Sequence, residues 1–262
     1  MKERADKIVV DKGLAESRQK AQALIMAGRV YSGETRVDKP GQKLNPDQDI
    51  EVKETMPFVG RGGMKIAEIL DIFEISLEGK AAADLGSSTG GFTDCLLQKG
   101  ARRVYAVDVD TRQLDWRLRK DPRVVLIQKN ARYLEKDDFS ESLDLVTADL
   151  SFISVLKVLP AIKNFIGTGL LVALIKPQFE VGKGLVGKKG VVRDPFRHEE
   201  VLVKMIYEAE ALGFHVLGLA PSPIKGQKGN REFFILWSMQ GSAMKPDRIR
   251  KLIKEAVWNE EN

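Results

Sequence analysis

Residues 81–94, AAADLGSSTGGFTD, decide the fold. Ala81 to Leu85 form an apolar run broken only by Asp84, which predicts a buried strand. Gly86-Ser87-Ser88-Thr89-Gly90-Gly91 follows as a tight turn, and Phe92 opens a helix. Glycines in such a turn allow φ > 0 and let a ligand approach backbone that a Cβ would cover. The helix start adds unpaired N–H groups and the positive end of a dipole. Strand, glycine turn and helix in this order predict a nucleotide-type site at the carboxyl edge of a parallel sheet. The spacing of Gly86, Gly90 and Gly91 does not fit the dinucleotide fingerprint G-x-G-x-x-G. For the loop by itself, a structural turn without a ligand is the plainer alternative.

The rest of the chain has room for that sheet. Its 262 residues suffice for one large domain, or for a large and a small one. An apolar content of 43% supports a real core, and a charged content of 30% supports a solvated surface. No apolar run reaches the ~18 residues of a membrane span. The N-terminal MKERADKIVV has no apolar signal region, so export is not expected. The single cysteine, Cys95, excludes an internal disulfide and fits a reducing cytoplasm. Its place in the helix after the glycine turn predicts core packing rather than nucleophilic chemistry. Two histidines and one cysteine, well separated, predict no metal site. The net charge of +5 leans towards a polyanionic partner.

Before the central stretch, Lys2 to Lys12 and Ser17 to Ala27 read as two short helices. Ser17 suits an N-cap, Ala21, Leu24 and Ile25 an apolar face, and Gly28 a C-terminal stop. Short strands and turns follow: Val30-Tyr31, Ser32-Gly33, Val37, Lys39-Pro40-Gly41 and Ile50 to Val52. Residues 1–58 carry 11 lysines and arginines against 10 acidic residues, a net of only +1, so bulk charge does not identify an RNA binder. The pattern R-A-D-x(7)-G-L-x-x-S-R-x-x-A-x-x-L-I-x-x-G-R-V, then V-D-K-P-G and D-x-I-E-V, resembles the S4-like RNA-binding domain. That resemblance implies a basic face for RNA phosphates at Arg4, Arg18, Lys20 and Arg29. Ordinary solvated charges are the alternative. Tyr31-Ser32-Gly33 departs from the common V-N-G of that family. The expected domains are 1–58, S4-like, and 64–240, an α/β sheet domain. A glycine-rich linker, 59–63, and a C-terminal helical stretch, 241–262, complete the chain.

Within 64–240, a helix is expected from Lys65 to Phe73, with Ile66, Ile69, Leu70 and Phe73 on one face. Apolar strands are expected at Val104–Val107, Val124–Gln128, Leu143–Ala148 and Leu170–Ile175, with helices between. They end in Asp108, near Asn130, in Asp149 and in Lys176. Alternating βα units give a mostly parallel sheet covered on both faces. Two last strands, Phe214–Leu219 and Glu232–Trp237, have no helix between them and imply an antiparallel edge partner. That ending, and the loop form D-x-G-x-x-x-G-G, resemble the class I, Rossmann-like methyltransferases. The resemblance implies S-adenosylmethionine at Gly86, Ser87, Ser88, Thr89, Gly90, Gly91 and Phe92, with Asn130 and Asp149 nearby.

Residues just past the carboxyl ends of parallel strands share one crevice. Asp108, 24 residues after Asp84, can accept both hydroxyls of a ribose; Asp110 is its competitor. Asp84 either orders the loop or meets the methionine end of the cofactor. An antiparallel last strand brings Glu232 to the same edge, so Lys65, Asp149, Lys176 and Glu232 converge. Two lysines and two carboxylates suit methyl transfer to a ribose hydroxyl, a poor acid that needs a base as the methyl arrives. A lysine serves as that base only when neutral. A structural ion-pair network is the alternative.

F-V-G-R-G-G-x-K, D-L-G-x-S-T-G-G-F-T-D, D-L-S-F-I-S, I-K-P-Q-F-E-V-G and S-P-I-K-G-x-x-G-N-x-E-F, behind an S4-like domain, resemble the TlyA or haemolysin A-like family. Its catalytic domain is similar to FtsJ-type ribosomal RNA 2'-O-methyltransferases. The resemblance implies a Lys-Asp-Lys-Glu set at Lys65, Asp149, Lys176 and Glu232, with Lys176 as general base. It also implies cytidine in ribosomal RNA as the target, in the large subunit or in both. Asp110 stands where glycine is usual, and Pro57-Phe58 where some members carry tryptophan. Gly182 to Lys188 spells G-x-x-x-x-G-K, but Lys189 replaces the Ser or Thr of a phosphate loop. Lys176 to Arg197 instead carries six basic and two acidic residues, which favours RNA at Lys183, Lys188 and Lys189. The rival functions are a non-catalytic RNA-binding or ribosome-assembly factor and a membrane-active haemolysin.

Overall fold

The computed structural model describes residues 2–26, 28–33, 35–52, 57–182, 186–187 and 190–259. It divides into two compact units, Met1–Met56 and Pro57–Asn262.

The small unit runs β1 (Glu3–Arg4), α1 (Ala5–Asp11), α2 (Arg18–Met26), β2 (Val30–Ser32), β3 (Thr35–Arg36), β4 (Lys43–Leu44) and β5 (Ile50–Val52). β3, β2 and β5 make an antiparallel sheet. Ala5, Ile8 and Val9 of α1 pack on Ala21, Leu24 and Ile25 of α2, with Val30, Val37, Leu44 and Ile50 closing the core. The Oγ of Ser17 accepts from the N–H of Lys20 at 3.2 Å, the bond expected of an N-cap. The first predicted helix needs correction at its start. Glu3 and Arg4 are extended and pair with Leu44 and Lys43, so the helix begins at Ala5.

In the large unit, α3 (Arg61–Ile72) precedes β6 (Ala81–Leu85), α4 (Gly91–Gln98), β7 (Arg103–Asp108), α5 (Trp116–Lys120) and β8 (Val124–Gln128). Then come β9 (Leu145–Ala148), α6 (Leu159–Phe165), β10 (Leu170–Ile175), α7 (Pro177–Glu180), α8 (Pro195–Ala211), β11 (His215–Pro221), β12 (Phe233–Ser238) and α9 (Pro246–Trp258). One seven-stranded sheet has the order β11-β12-β10-β9-β6-β7-β8. The chain builds outward from β6 to β7 and β8, then crosses to β9 on the other side of β6. That reversal is a topological switch point, where open α/β sheets bind ligands. β12 alone runs antiparallel to both of its neighbours.

Alternate residues of each strand serve opposite faces. Ala83, Val146, Leu171 and Trp237 pack under α6, α8 and α9, whereas Ala82, Leu145, Val172 and Phe234 pack under α3 and α4. The C-terminal α9 is part of this core through Ile249, Ile253, Ala256 and Val257. Asp194 caps α8 by accepting from the N–H of Phe196 at 3.0 Å, and Pro195 fills its first turn.

The predicted linker is corrected too: α3 starts at Arg61, so Arg61, Gly62 and Gly63 are helical. The first turn of a helix needs no intrahelical acceptors for its N–H groups, so glycine costs less there than in the interior. Packing demands it: a Cβ at Gly63 would run into the ring of Phe58.

Candidate active site

The glycine turn sits at the switch point. Gly86 has φ +86°, and a Cβ there would lie 2.5 Å from the carbonyl oxygen of Asp149. The β6 and β9 strand ends can therefore approach this closely only with glycine at position 86. A crevice of about 1000 Å3 opens beside them. Gly86, Ser88, Asp108, Asn130 and Asp149 line it. Asp108 is aimed by backbone: its Oδ2 accepts from the N–H of Ser88 at 2.9 Å and its Oδ1 from the N–H of Asp110 at 3.0 Å. Asp110 turns away and grips Arg112, with bonds of 2.7 and 3.0 Å to its guanidinium.

Ser87, Thr89, Gly90 and Gly91 belong to the same turn but do not line the crevice. Asp84 is fully buried and accepts from the hydroxyls of Thr93 at 2.7 Å and Thr147 at 3.2 Å. It thus ties β6 to α4 and β9. Burial pushes its carboxyl up to about 7, against the pull of the threonine hydroxyls. The side chain of Phe92 is core, stacked on Phe234 with centroids 6.1 Å apart, and does not line the crevice. Phe92, expected among the cofactor residues, therefore offers that crevice no ring.

The four chemistry-bearing residues meet at one sheet edge as two ion pairs. Lys176 follows β10 and Asp149 follows β9; Nζ of Lys176 lies 2.6 Å from Oδ1 of Asp149. That approach is an ion-pair contact off the hydrogen-bond direction, and Nζ donates instead to Oγ of Ser151 at 3.0 Å. β12 pairs with β10 so that Phe233 faces Ile175, which sets Glu232 beside the end of β10. There Nζ of Lys65, from α3, donates to Oε2 of Glu232 at 2.5 Å, with both side chains nearly buried. Gln178 on α7 lines the crevice with Asp149, and its amide Nε2 lies 3.5 Å from Oε1 of Glu232.

Ser151, Gln178 and Phe152 were not singled out from the sequence. Phe152 has φ +64°, is 90% exposed and lines the crevice with its ring 5.2 Å from that of Phe179. An apolar side chain held so far out of the core, on unfavourable backbone, is the signature of a functional position. Its place between Asp149 and the D-L-S-F-I-S end was the available signal. In the small unit, Arg4 and Arg18 come together on Asp6, while Lys20 lies on the exposed face of α2. Arg29 follows α2 in the turn that leads to β2. Lys183, Lys188 and Lys189 lie outside the described residues. Among the described residues, no group of metal-binding side chains occurs and no helix is long and apolar enough to cross a membrane.

A seven-stranded sheet with this order, an antiparallel strand next to its last edge and an open switch point defines a class I methyltransferase fold. The FtsJ-like methyltransferase model matches residues 58–239 and the S4 domain model residues 3–50. The chain accordingly belongs to the FtsJ-like methyltransferases, in the TlyA and hemolysin A branch that carries an S4 domain. It is 46% identical over 264 residues to YqxC of Bacillus subtilis, described as a candidate rRNA methyltransferase, covering 97% of this chain and 94% of that protein. It is 43% identical over 238 residues to the 16S/23S rRNA (cytidine-2'-O)-methyltransferase TlyA of Mycobacterium tuberculosis, covering 89% and 88%. The solved structure of a candidate hemolysin from Streptococcus thermophilus superposes with a TM-score of 0.74 at 42% identity, over 97% of this chain and 95% of that one.

Proposed function

We propose that the protein is an S-adenosylmethionine-dependent 2'-O-methyltransferase acting on cytidine ribose in ribosomal RNA, in the cytoplasm. The observation that supports this most is the Lys176–Asp149 pair, whose carboxylate lines the crevice, with the Lys65–Glu232 pair at the same sheet edge beside Gln178. An RNA-binding factor needs neither pair. S-adenosylmethionine supplies an electrophilic methyl group on a sulfonium. The crevice suits it: Asp108 holds out a backbone-aimed carboxylate for ribose hydroxyls, and Gly86 removes the Cβ that would fill the gap. Gly86, Ser88, Asn130 and Asp149 would form the rest of the wall, on the frame made by Asp84, Ser87, Thr89, Gly90 and Gly91.

At the substrate, Lys176 takes the proton of the 2'-hydroxyl; the bound cofactor would give its methyl to that oxygen, its S–CH3 bond breaking to leave the neutral thioether S-adenosylhomocysteine. Lys176 must reach that step as an amine. Asp149 and Ser151 aim it and then stabilise the ammonium that forms. Lys65 and Glu232 hold the ribose side of the edge in place. Phe152 offers an exposed ring to an unstacked base, the usual way single-stranded RNA is gripped. The S4 unit supplies the basic contacts, with Arg4, Arg18, Lys20 and Arg29.

Labelled S-adenosylmethionine with isolated large and small ribosomal subunits tests this. Wild type is expected to label ribosomal RNA. Lys176→Ala is expected to lose at least about 10²-fold in rate, the scale of a removed general base, while binding cofactor normally. Cofactor binding without transfer to either subunit or to naked ribosomal RNA would instead identify a ribosomal RNA-binding factor.

A further inference from the structure

The small unit contains a fully buried carboxylate on which two arginines and an amide converge. Asp6, in α1, is 0% exposed. Its Oδ1 accepts from Nε of Arg4 at 3.0 Å, and its Oδ2 from a terminal nitrogen of the same guanidinium at 3.0 Å. A terminal nitrogen of Arg18 reaches Oδ2 at 3.1 Å and Nε2 of Gln22 reaches it at 2.8 Å. Arg18 and Gln22 are one turn apart on α2 and so share a face. The Pro40–Gly41 turn stays out of the way. A Cβ at Gly41 would stand 3.2 Å from Nη1 of Arg4, and the carbonyl of Pro40 accepts from the N–H of Asp6.

The charge balance is lopsided. Two guanidiniums on one carboxylate leave a surplus of one positive charge. Each guanidinium has five N–H donors, and Asp6 takes two from Arg4 and one from Arg18. Both side chains remain about half exposed, at 45% and 58%. A carboxylate needed only to tie α1 to α2 would be served by Gln22 and one arginine. One guanidinium held as a fork and a second held through one terminal nitrogen, with donors left over on both, can serve a second oxyanion.

We infer that Asp6 is a positioning residue for nucleic-acid binding, holding Arg4 and Arg18 side by side as a preset clamp for an RNA phosphate. The inference rests on the proposed ribosomal RNA function. Preorganisation is the gain: neither arginine has to be ordered when the phosphate arrives. The Arg4 guanidinium, with Gln22 and Arg18, holds the Asp6 carboxyl well below the usual carboxylate range, so the clamp persists at any pH the RNA tolerates.

The sign of the effect makes the test sharp. Asp6→Asn raises the net charge by one. If charge alone governed affinity, the variant would bind RNA more tightly; without the clamp it binds more weakly. Full-length protein is titrated by filter binding against isolated large and small ribosomal subunits over a range of KCl. Asp6→Asn is expected to weaken binding about tenfold or more. Its log–log salt dependence should flatten by about 0.7–0.9 for each phosphate no longer neutralised. Arg4→Lys keeps the charge but removes the fork, and the same weakening is expected from it. Its half-exposed site keeps the test decisive should Asp6→Asn fail to fold. Gln22→Leu removes one uncharged donor to Asp6 and leaves both guanidiniums in place, so affinity should stay within about twofold. Wild type that binds one subunit, with Asp6→Asn or Arg4→Lys binding equally or better, overturns the clamp. Wild type that binds neither subunit overturns the ribosomal RNA function itself.

Discussion

Lys65 and Glu232 make the ion pair whose removal has the most calculable cost. Their side chains are 12% and 3% exposed, and the bond between them is 2.5 Å. Lys65→Met removes the cation and leaves the Glu232 carboxylate buried, with only the long 3.5 Å contact from Gln178 among the described residues. Breaking a buried pair from one side costs about 3–5 kcal/mol, mostly the desolvation of the stranded charge. For a unit of this size, 1 kcal/mol corresponds to about 2–4 °C in Tm. The variant should therefore melt roughly 6–20 °C below wild type. The double variant Lys65→Met, Glu232→Gln removes both charges in nearly the same volume. It should recover most of that loss, to within about 2 kcal/mol of wild type.

The assay is selective. All three tryptophans, Trp116, Trp237 and Trp258, lie in the large unit, and Trp237 is fully buried in its core. Tryptophan fluorescence during heating thus follows that unit without the S4 domain. Methyl transfer is measured beside it. The double variant should regain stability and stay inactive. A single variant as stable as wild type, or a double no better than the single, would refute the buried-pair energetics. A double variant that regains activity would reduce the pair to scaffolding.

Two further outcomes follow from buried titratable groups. Burial pushes Asp84 up to about 7, so the folded state holds this proton more tightly than the unfolded chain, and stability falls as pH rises from about 4 through 7. Asp84→Asn should flatten that fall and be the more stable protein at pH 8, by up to about 4 kcal/mol, with the gap closing towards pH 4; parallel pH profiles would contradict this. Burial also pushes the thiol of Cys95 up to about 12, so native protein should resist Ellman's reagent at pH 8 and release one equivalent only on unfolding in guanidinium. Rapid reaction of the native protein would contradict it.

How much of this was legible in the sequence depended on whether backbone order or three-dimensional contact decided the matter. Strand ends were legible, because an apolar run that stops at Asp108, Asp149 or Lys176 has only one edge of a parallel sheet to stop at. Glu232 was legible for the same reason once β12 was seen to have no helix before it, and the register of Ile175 with Phe233 bears that out. The partner of each lysine was not legible. Lys65 and Glu232 are 167 residues apart, and spacing carries no preference between Glu232 and Asp149 for either cation. Glycine misled at α3, where Gly62 and Gly63 read as breakers but are there to admit Phe58 and Phe92. Asp6 shows the sharpest limit. It reads as one more acid in a nearly neutral segment, and charge counting sets it against RNA binding. Only its burial beneath Arg4 and Arg18 reverses that sign, because an anion that fixes two cations in place contributes more to phosphate recognition through geometry than it subtracts through charge.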